Sequence, residues 1–525
     1  MKKIFLNIIF LVFVAATFSA CKKTLEEQYN NPEKSSIQSI PTFFTAFLNN
    51  DRIRPAYWNV RTFLLVHPAV YSQTSSFANG NDIFKQNDSY INQYWSDFYY
   101  PAANGSGPMA LYRQMEATYK NLSAAEQANQ RVFVEAAKIA LIDQAAQMVD
   151  LFGDIPYSET GSLETSSTII NPNFDDQKAL YTSFISDLDA SATFFATATT
   201  NASFTKQDIM LAGSTDKWRR YANSLRLRLL MRTSFVDEAT AKAVVTTMLS
   251  NSAQYPLLDG GNVAAYNPAA SDVLLTPLTT NNDNLNNALT EINSFYATDY
   301  LLNKVMLPAN DPRIPVMFDK YGKVVNGKFV PNKTYRAMPV TYTTAQSDTA
   351  YTSYSILDSA TFLQNKSLPG VVFTAAETNF LKAEAFERWG GGNAQTAYET
   401  AIKQSVYFYY YLNGLGKGAA VTPTDVTTFL SAPTVAYTGT STEKLTKIYT
   451  QKWASFSFLQ SKQAWAEVRR TKNPSLTFST AGKLNGYETP PNRLLYPTSE
   501  IANNSNYSKV RAKDTRLTKI FWDVK

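Results

Sequence analysis

Between Ala124 and Phe152 the residues Val132, Ala136, Ile139, Ile142, Ala146, Val149 and Phe152 recur in steps of three and four. That period puts them on one stripe of a long helix, which has to be buried against other helices. The helix stops at Gly153-Asp154-Ile155-Pro156. A second amphipathic helix is expected over 175–195, through Ala179, Leu180, Phe184, Leu188 and Ala192, and a third over 215–234, with Trp218, Tyr221, Leu225 and Leu229 inward. The arginines of the third (Arg219, Arg220, Arg226, Arg228, Arg232) alternate with leucines and are expected to cover a solvated face rather than bind phosphate.

The clearest supersecondary unit spans 374–412. Thr374 and Glu377 have capping-box spacing, Phe380, Leu381, Ala383, Ala385 and Phe386 fill a first helix, and Gly390-Gly391-Gly392 ends it. Asn393 can cap a second helix bearing Ala394, Ala397, Tyr398, Ala401, Ile402, Ser405 and Val406. Two helices meeting through small residues across a tight glycine turn resemble one tetratricopeptide hairpin, although no strict 34-residue period runs through the chain. A further helix is expected over 442–470, with Thr440 and Glu443 as its capping box and Leu445, Ile448, Tyr449, Trp453 and Phe456 inward. The stretches 259–371 and 472–525 lack this period and are rich in Asn, Thr, Tyr and Pro, so they read as long loops with short strands at 328–330 and 339–342. The fold class is therefore mostly α: helix pairs form a scaffold at about 38–258, 372–412 and 440–471, and a loop-rich irregular part faces the ligand.

Composition narrows the function classes. With 44% apolar and 18% charged residues the chain can bury a large core, and a net charge of +6 without charge blocks gives no footing for nucleic acid. One cysteine forbids an internal disulfide, and one histidine, His67 in Leu64-Leu65-Val66-His67-Pro68, forbids a Cys/His zinc site. His67 is expected to be packed rather than catalytic. No cofactor is expected, and any structural ion would need oxygen ligands, which suits calcium. Gly105-Ser106-Gly107-Pro108-Met109-Ala110 fits a dinucleotide pattern in letter only, since no apolar strand precedes it. Carboxylate pairs for glycoside hydrolysis form in space rather than by spacing, and Glu377, Glu384 and Glu387 are expected on the solvated edge of their helix.

The first twenty residues carry Lys2 and Lys3, an apolar run from Ile4 to Phe18, and then Ser19-Ala20-Cys21. This is a secretory signal, and Phe18-Ser19-Ala20-Cys21 resembles a bacterial lipobox. The expectation is a signal peptide over 1–20, lipidation at Cys21, a polar tether over 21–37 and a single domain over 38–525 held to the membrane by acyl chains.

The chain has 31 Tyr, 32 Phe and 7 Trp, and several rings fall in the aperiodic stretches beside amides and carboxylates. Sugars present an apolar C–H face and a hydroxyl rim, so aromatic rings next to Asn or Asp suit them. On that ground the ligand-binding candidates are Phe77, Asn79, Asp82, Tyr266, Asn267, Phe295, Tyr296 and Tyr354. No catalytic residue is assigned.

Several phrases, taken in order, resemble the SusD/RagB family of nutrient-binding outer-membrane lipoproteins. They are Leu151-Phe152-Gly153-Asp154-Ile155-Pro156-Tyr157, Asp311-Pro312-Arg313, the run from Glu377 to Trp389, Lys452-Trp453, Ala464-Trp465-Ala466-Glu467-Val468-Arg469-Arg470-Thr471, and Arg493-Leu494-Leu495-Tyr496-Pro497 with Glu500 and Asn503. The resemblance implies a helical scaffold and a surface-exposed, non-enzymatic lipoprotein. Such a protein captures an oligosaccharide or other nutrient and passes it to a SusC-like TonB-dependent outer-membrane transporter. It implies a scaffold role for the quoted phrases and assigns no ligand residue. A peptide-binding lid of the same type is the alternative, and a surface glycoside hydrolase is the rival from another class.

Overall fold

A computed structural model of the protein describes residues 39–525, apart from 77–79, 103–104, 167, 169, 279–282, 293, 424 and 481. The expected signal segment, the tether and Cys21 lie outside the described residues. No helix among those described is long and apolar enough to cross a membrane.

The helix Ala124–Phe152 starts at a reciprocal cap. The Ser123 hydroxyl accepts the Glu126 N–H at 3.4 Å, and the Glu126 carboxylate accepts the Ser123 N–H at 3.0 Å. It ends at Gly153, whose φ of 80° a side chain would strain. The expected single stripe is too narrow: from Val132 to Phe152 every residue except Lys138 is buried. Helices Ile40–Leu48, Pro108–Lys120, Gln177–Phe195 and Thr215–Thr233 pack around it, which encloses Asp143 and Asp150 together with its apolar side chains.

The hairpin Ala375–Trp389 and Ala394–Lys417 forms as its sequence demands. Thr374 accepts the Glu377 N–H at 3.2 Å, Asn393 accepts the Thr396 N–H at 2.9 Å, and the helices meet through Ala376, Phe380 and Ala383 against Ala397, Ala401 and Ile402. With these tetratricopeptide-like pairs the fold is mostly α, and the described strands make four two-stranded sheets. The helix expected over 442–470 is two helices, Ser441–Phe456 and Ser461–Thr471, broken at Ser457 with a φ of 46°. The Thr440–Glu443 capping box is present. Residues 328–330 lie in the strand Lys328–Pro331, but 339–342 is a turn closed by Tyr342 N–H on the Pro339 carbonyl at 3.0 Å. The stretch 259–371 also holds more helix than its composition suggests, including Asp283–Glu291 and Thr344–Ala350.

The chain after 472 straps the scaffold. Leu494 N–H donates to the Leu151 carbonyl at 2.8 Å, Tyr496 Oη to the Asp154 carbonyl at 2.5 Å, and Trp522 Nε1 to Asp150 at 2.8 Å. Arg469 reaches the Asn492 carbonyl at 2.7 Å from the helical side. Of the quoted phrases, those at 151–157, 464–471 and 493–497 therefore stitch the C-terminal segment to the helices.

The larger correction concerns charge. Arg226, Arg228 and Arg232 do not cover a solvated face, and Glu377 and Glu384 are not on a solvated edge; all five are buried. Arg228 binds Asp143 at 2.9 Å and Glu377 at 2.6 Å, and Arg232 approaches Glu467 at 3.1 Å and Asp150 at 3.7 Å. Arg470 holds Glu384 at 2.6 Å and Glu467 at 2.8 Å, and Lys452 holds Glu467 at 2.6 Å. The alternation of Arg with Leu looked amphipathic because the partner carboxylates lie far away in sequence. Burial alone would raise the Glu384 carboxyl, but Arg470, by charge and hydrogen bond, and Lys452 hold it below its ordinary value. Glu384→Ala leaves Arg470, Lys452 and Arg388 facing no carboxylate at that point, and is expected to cost about 3–5 kcal/mol in urea denaturation. An unchanged midpoint would show that the cations find other partners.

Candidate functional site

The structure brings two of the expected ligand residues to one cavity. Tyr266 and Asn267 line a hollow of about 790 Å³ together with Pro268, Tyr407, Tyr411, Leu415 and the chain at 419–423. Tyr407, Tyr411 and Leu415 stand four residues apart, on one face of the last turns of Ala394–Lys417. The Tyr266 hydroxyl is committed to Asp272 at 2.7 Å, and Asn267 Oδ1 to the Ala269 N–H at 3.1 Å. A ligand there would meet aromatic rings, the Asn267 amide NH2 and backbone groups; none of the described lining residues is charged. Sequence reasoning passed over Tyr407 and Tyr411, whose signal was a four-residue tyrosine spacing at the end of a helix.

The other expected residues do not join this cavity. Tyr296 and Tyr354 are buried in a small core with Met338, where the Tyr354 hydroxyl donates to Tyr342 Oη at 3.1 Å, and Phe295 packs at its margin. Their rings serve packing. Asp82 is exposed in a turn closed by Lys85 N–H on its carbonyl at 2.8 Å, and Phe77 and Asn79 lie outside the described residues.

A second surface was not anticipated. Trp58 is 52% exposed, and the Tyr57 ring meets it edge-on with centroids 5.0 Å apart. Beside them Arg61 binds Glu291 at 2.7 Å and donates to the Tyr90 hydroxyl at 2.6 Å, and the Tyr57 hydroxyl donates to Glu291. These groups come from the short turns Tyr57–Asn59 and Val60–Leu64 and from helices Asp88–Tyr99 and Asp283–Glu291, so two distant parts of the chain build one face. The Glu291 carboxylate is held below its ordinary pKa by hydrogen bonds from Arg61 and Tyr57, which keeps it ionised and oriented. The result is an open aromatic platform with a fixed polar rim. Adjacent aromatics in Pro55-Ala56-Tyr57-Trp58 were its only trace in sequence.

His67 is buried, with Nε2 accepting the Asn87 N–H at 3.2 Å, and burial lowers its pKa to about 4. Asp319 and Asp358 share a hydrogen bond, and burial followed by the neighbouring charge raises Asp319. Both have structural duties, because Asp319 accepts the Ser359 N–H at 3.0 Å and Asp358 accepts the Thr361 N–H at 2.7 Å and Asn413 at 2.8 Å. Among the described residues no group of three or more His, Cys, Asp or Glu could hold a metal ion.

Comparison with known proteins identifies the class. The profile of the SusD-like family described as "Starch-binding associating with outer membrane" matches residues 44–497, and the chain belongs to that family. Similar solved structures include a chitin-binding protein (24% identity, 92% of this chain and 99% of that one, TM-score 0.72). A SusD homologue from Bacteroides uniformis (21%, 93% and 99%, 0.70) and a chitin-binding SusD homologue from Flavobacterium johnsoniae (23%, 93% and 99%, 0.69) also share the fold. No curated protein sequence matches the chain.

Asp272 makes the cavity wall sensitive to pH. Burial raises its carboxyl from 3.8 to about 7, against the lowering effect of the Ala375 N–H and the Tyr266 hydroxyl. The folded state keeps a proton that the unfolded chain releases, so this group's contribution is full below about pH 4 and is lost as pH rises to about 7. Asp272→Asn stays neutral throughout. The stability of the variant relative to wild type should therefore grow across that window and level off above it, by at most about 4 kcal/mol, as read from urea midpoints at successive pH values.

Proposed function

We propose that this protein is a lipid-anchored capture protein of the outer-membrane surface that binds a glycan without cleaving it and hands it to a SusC-like TonB-dependent transporter. The observation that carries the glycan reading is the half-exposed Trp58 beside the hydrogen-bonded Arg61–Glu291–Tyr90 rim. A sugar ring can lay its C–H face on the indole while its hydroxyls meet the guanidinium, carboxylate and phenol. The family description and the two chitin-binding neighbours support the same ligand class. An oriented charged rim also suits a peptide, so the ligand panel includes both classes. The cavity at Tyr266, Asn267, Tyr407 and Tyr411 is the second place for a sugar, favoured by its size and its uncharged lining.

Calorimetry of the soluble chain against chitin oligosaccharides, malto-oligosaccharides and peptides, with product analysis of the same mixtures, tests this. Saturable glycan binding without product is the expected result, and released product would overturn it. Trp58→Ala should weaken glycan binding about tenfold with unchanged thermal stability, since the ring is open to solvent. If Tyr411→Ala weakens binding instead and Trp58→Ala does not, the cavity is the site.

Anchoring is tested separately. Cys21→Ala should move the protein from the membrane fraction to the soluble fraction, and continued lipid attachment would rule out Cys21 as the anchor.

A further inference from the structure

The hairpin of Gly322–Val325 and Lys328–Pro331 presents an unusual surface. Its strands pair Gly322 with Pro331, Lys323 with Val330, Val324 with Phe329 and Val325 with Lys328. Asn326 and Gly327 form the turn, both with positive φ (50° and 74°), as a two-residue hairpin turn requires. Side chains alternate along a strand, so Val324 and Phe329 share one face and Val325 and Val330 lie on the other. All four are open to solvent: Val324 68%, Phe329 57%, Val330 48% and Val325 41%. An antiparallel pair in a soluble protein normally turns its apolar side chains inward; here Val324 and Phe329 lie open on one face, and Val325 and Val330 lie open beside Lys323 and Lys328 on the other.

The base of the hairpin is fixed while its tip stands free. Asn332 Nδ2 donates to the Lys320 carbonyl at 3.0 Å and the Thr352 carbonyl at 2.9 Å, and the Tyr321 ring lies 6.2 Å from Phe329 and 6.3 Å from Tyr351. Within the segment itself the charge has one sign, while Asp348 lies on the adjoining helix Thr344–Ala350. Residues 320–336 contain Lys320, Lys323, Lys328, Lys333 and Arg336 and no acidic residue. Asp319, just before them, is engaged with the Ser359 N–H at 3.0 Å.

We propose that this hairpin docks on an anionic lipid surface, with Val324, Val325, Phe329 and Val330 entering the boundary between headgroups and acyl chains and the lysines meeting lipid phosphates. Lipid is favoured over a protein partner because a protein surface covers one face of a hairpin, whereas a lipid interface surrounds both. Lysine suits the flank because its stem can lie along apolar material while its ammonium reaches the headgroups. The contact would be a second attachment beside the acyl anchor and does not depend on the glycan reading.

The test uses the chain from Lys22 onward, which retains every described residue and carries no acylated cysteine. It is sedimented with vesicles of phosphatidylcholine alone and of phosphatidylcholine mixed with phosphatidylglycerol. Binding to the mixed vesicles only, weakened by added salt, is expected. The double variants Val324→Ser with Phe329→Ser, and Lys323→Gln with Lys328→Gln, should each lose at least about tenfold in partitioning, with unchanged melting temperature and glycan affinity. Absence of binding to the mixed vesicles, or equal binding by the variants, overturns the proposal. So does a wild-type chain that ignores vesicles but whose hairpin variants no longer co-purify with the transporter, because the hairpin is then a protein contact.

Discussion

The structure depends on a buried network of paired charges. Arg228 ties Asp143 of the long central helix to Glu377 at the start of Ala375–Trp389, and Arg470 ties Glu384, two turns further along that helix, to Glu467. Arg232 and Lys452 complete the link to Asp150 and to the helix Ser441–Phe456. Taking so many charges out of water is costly, and each ion is tolerated only where its partners stand within hydrogen-bond reach. An apolar interface of the same area could slide by a turn. This one is held in register, so the network specifies the relative placement of five helices more than it adds net stability.

The two candidate surfaces inherit that placement. Strand Val273–Leu275 pairs with Gly370–Phe373, and the chain then turns at Thr374 into the helix that Arg228 grips by Glu377. Asp272 accepts the Ala375 N–H at 2.9 Å and the Tyr266 hydroxyl at 2.7 Å, so the helix start and the cavity wall share one carboxyl. The opposite wall belongs to Ala394–Lys417, fixed by its alanine contacts with the same helix. At the Trp58 face, Asp283–Glu291 lies against Tyr57–Asn59, and Arg61 and Glu291 lock that contact from the solvent side.

What could be read from sequence follows from whether a signal is local. Helix periods, caps and the Gly390–Gly391 turn are carried by residues a few positions apart, and they are where the chain's composition puts them. The arginines of 215–234 were misread because a Leu–Arg alternation is the same whether the arginine meets water or a carboxylate 149 residues away, as Arg228 meets Glu377. The break at Ser457 has neither Gly nor Pro to announce it. Tyr266 and Asn267 were legible as loop aromatic and amide, but Tyr407 and Tyr411 were hidden in a run that reads as core helix. Tyr296 and Tyr354 went the other way: an aperiodic stretch built a small core of its own around Met338 and consumed their rings.

Strongly shifted ionisable groups usually point toward an active site, since catalysis needs them. In this protein most of them sit in the scaffold instead. Glu384, Glu467, Lys452 and Arg470 are shifted because they are buried against one another, and His67 is neutral because it is enclosed. The tyrosine-lined cavity has rings, an amide and backbone at its wall, with the one shifted carboxyl, Asp272, behind Tyr266. The Trp58 face has an ion pair already matched within itself. Groups spent on each other in this way are held in fixed orientations, the arrangement that non-covalent recognition uses.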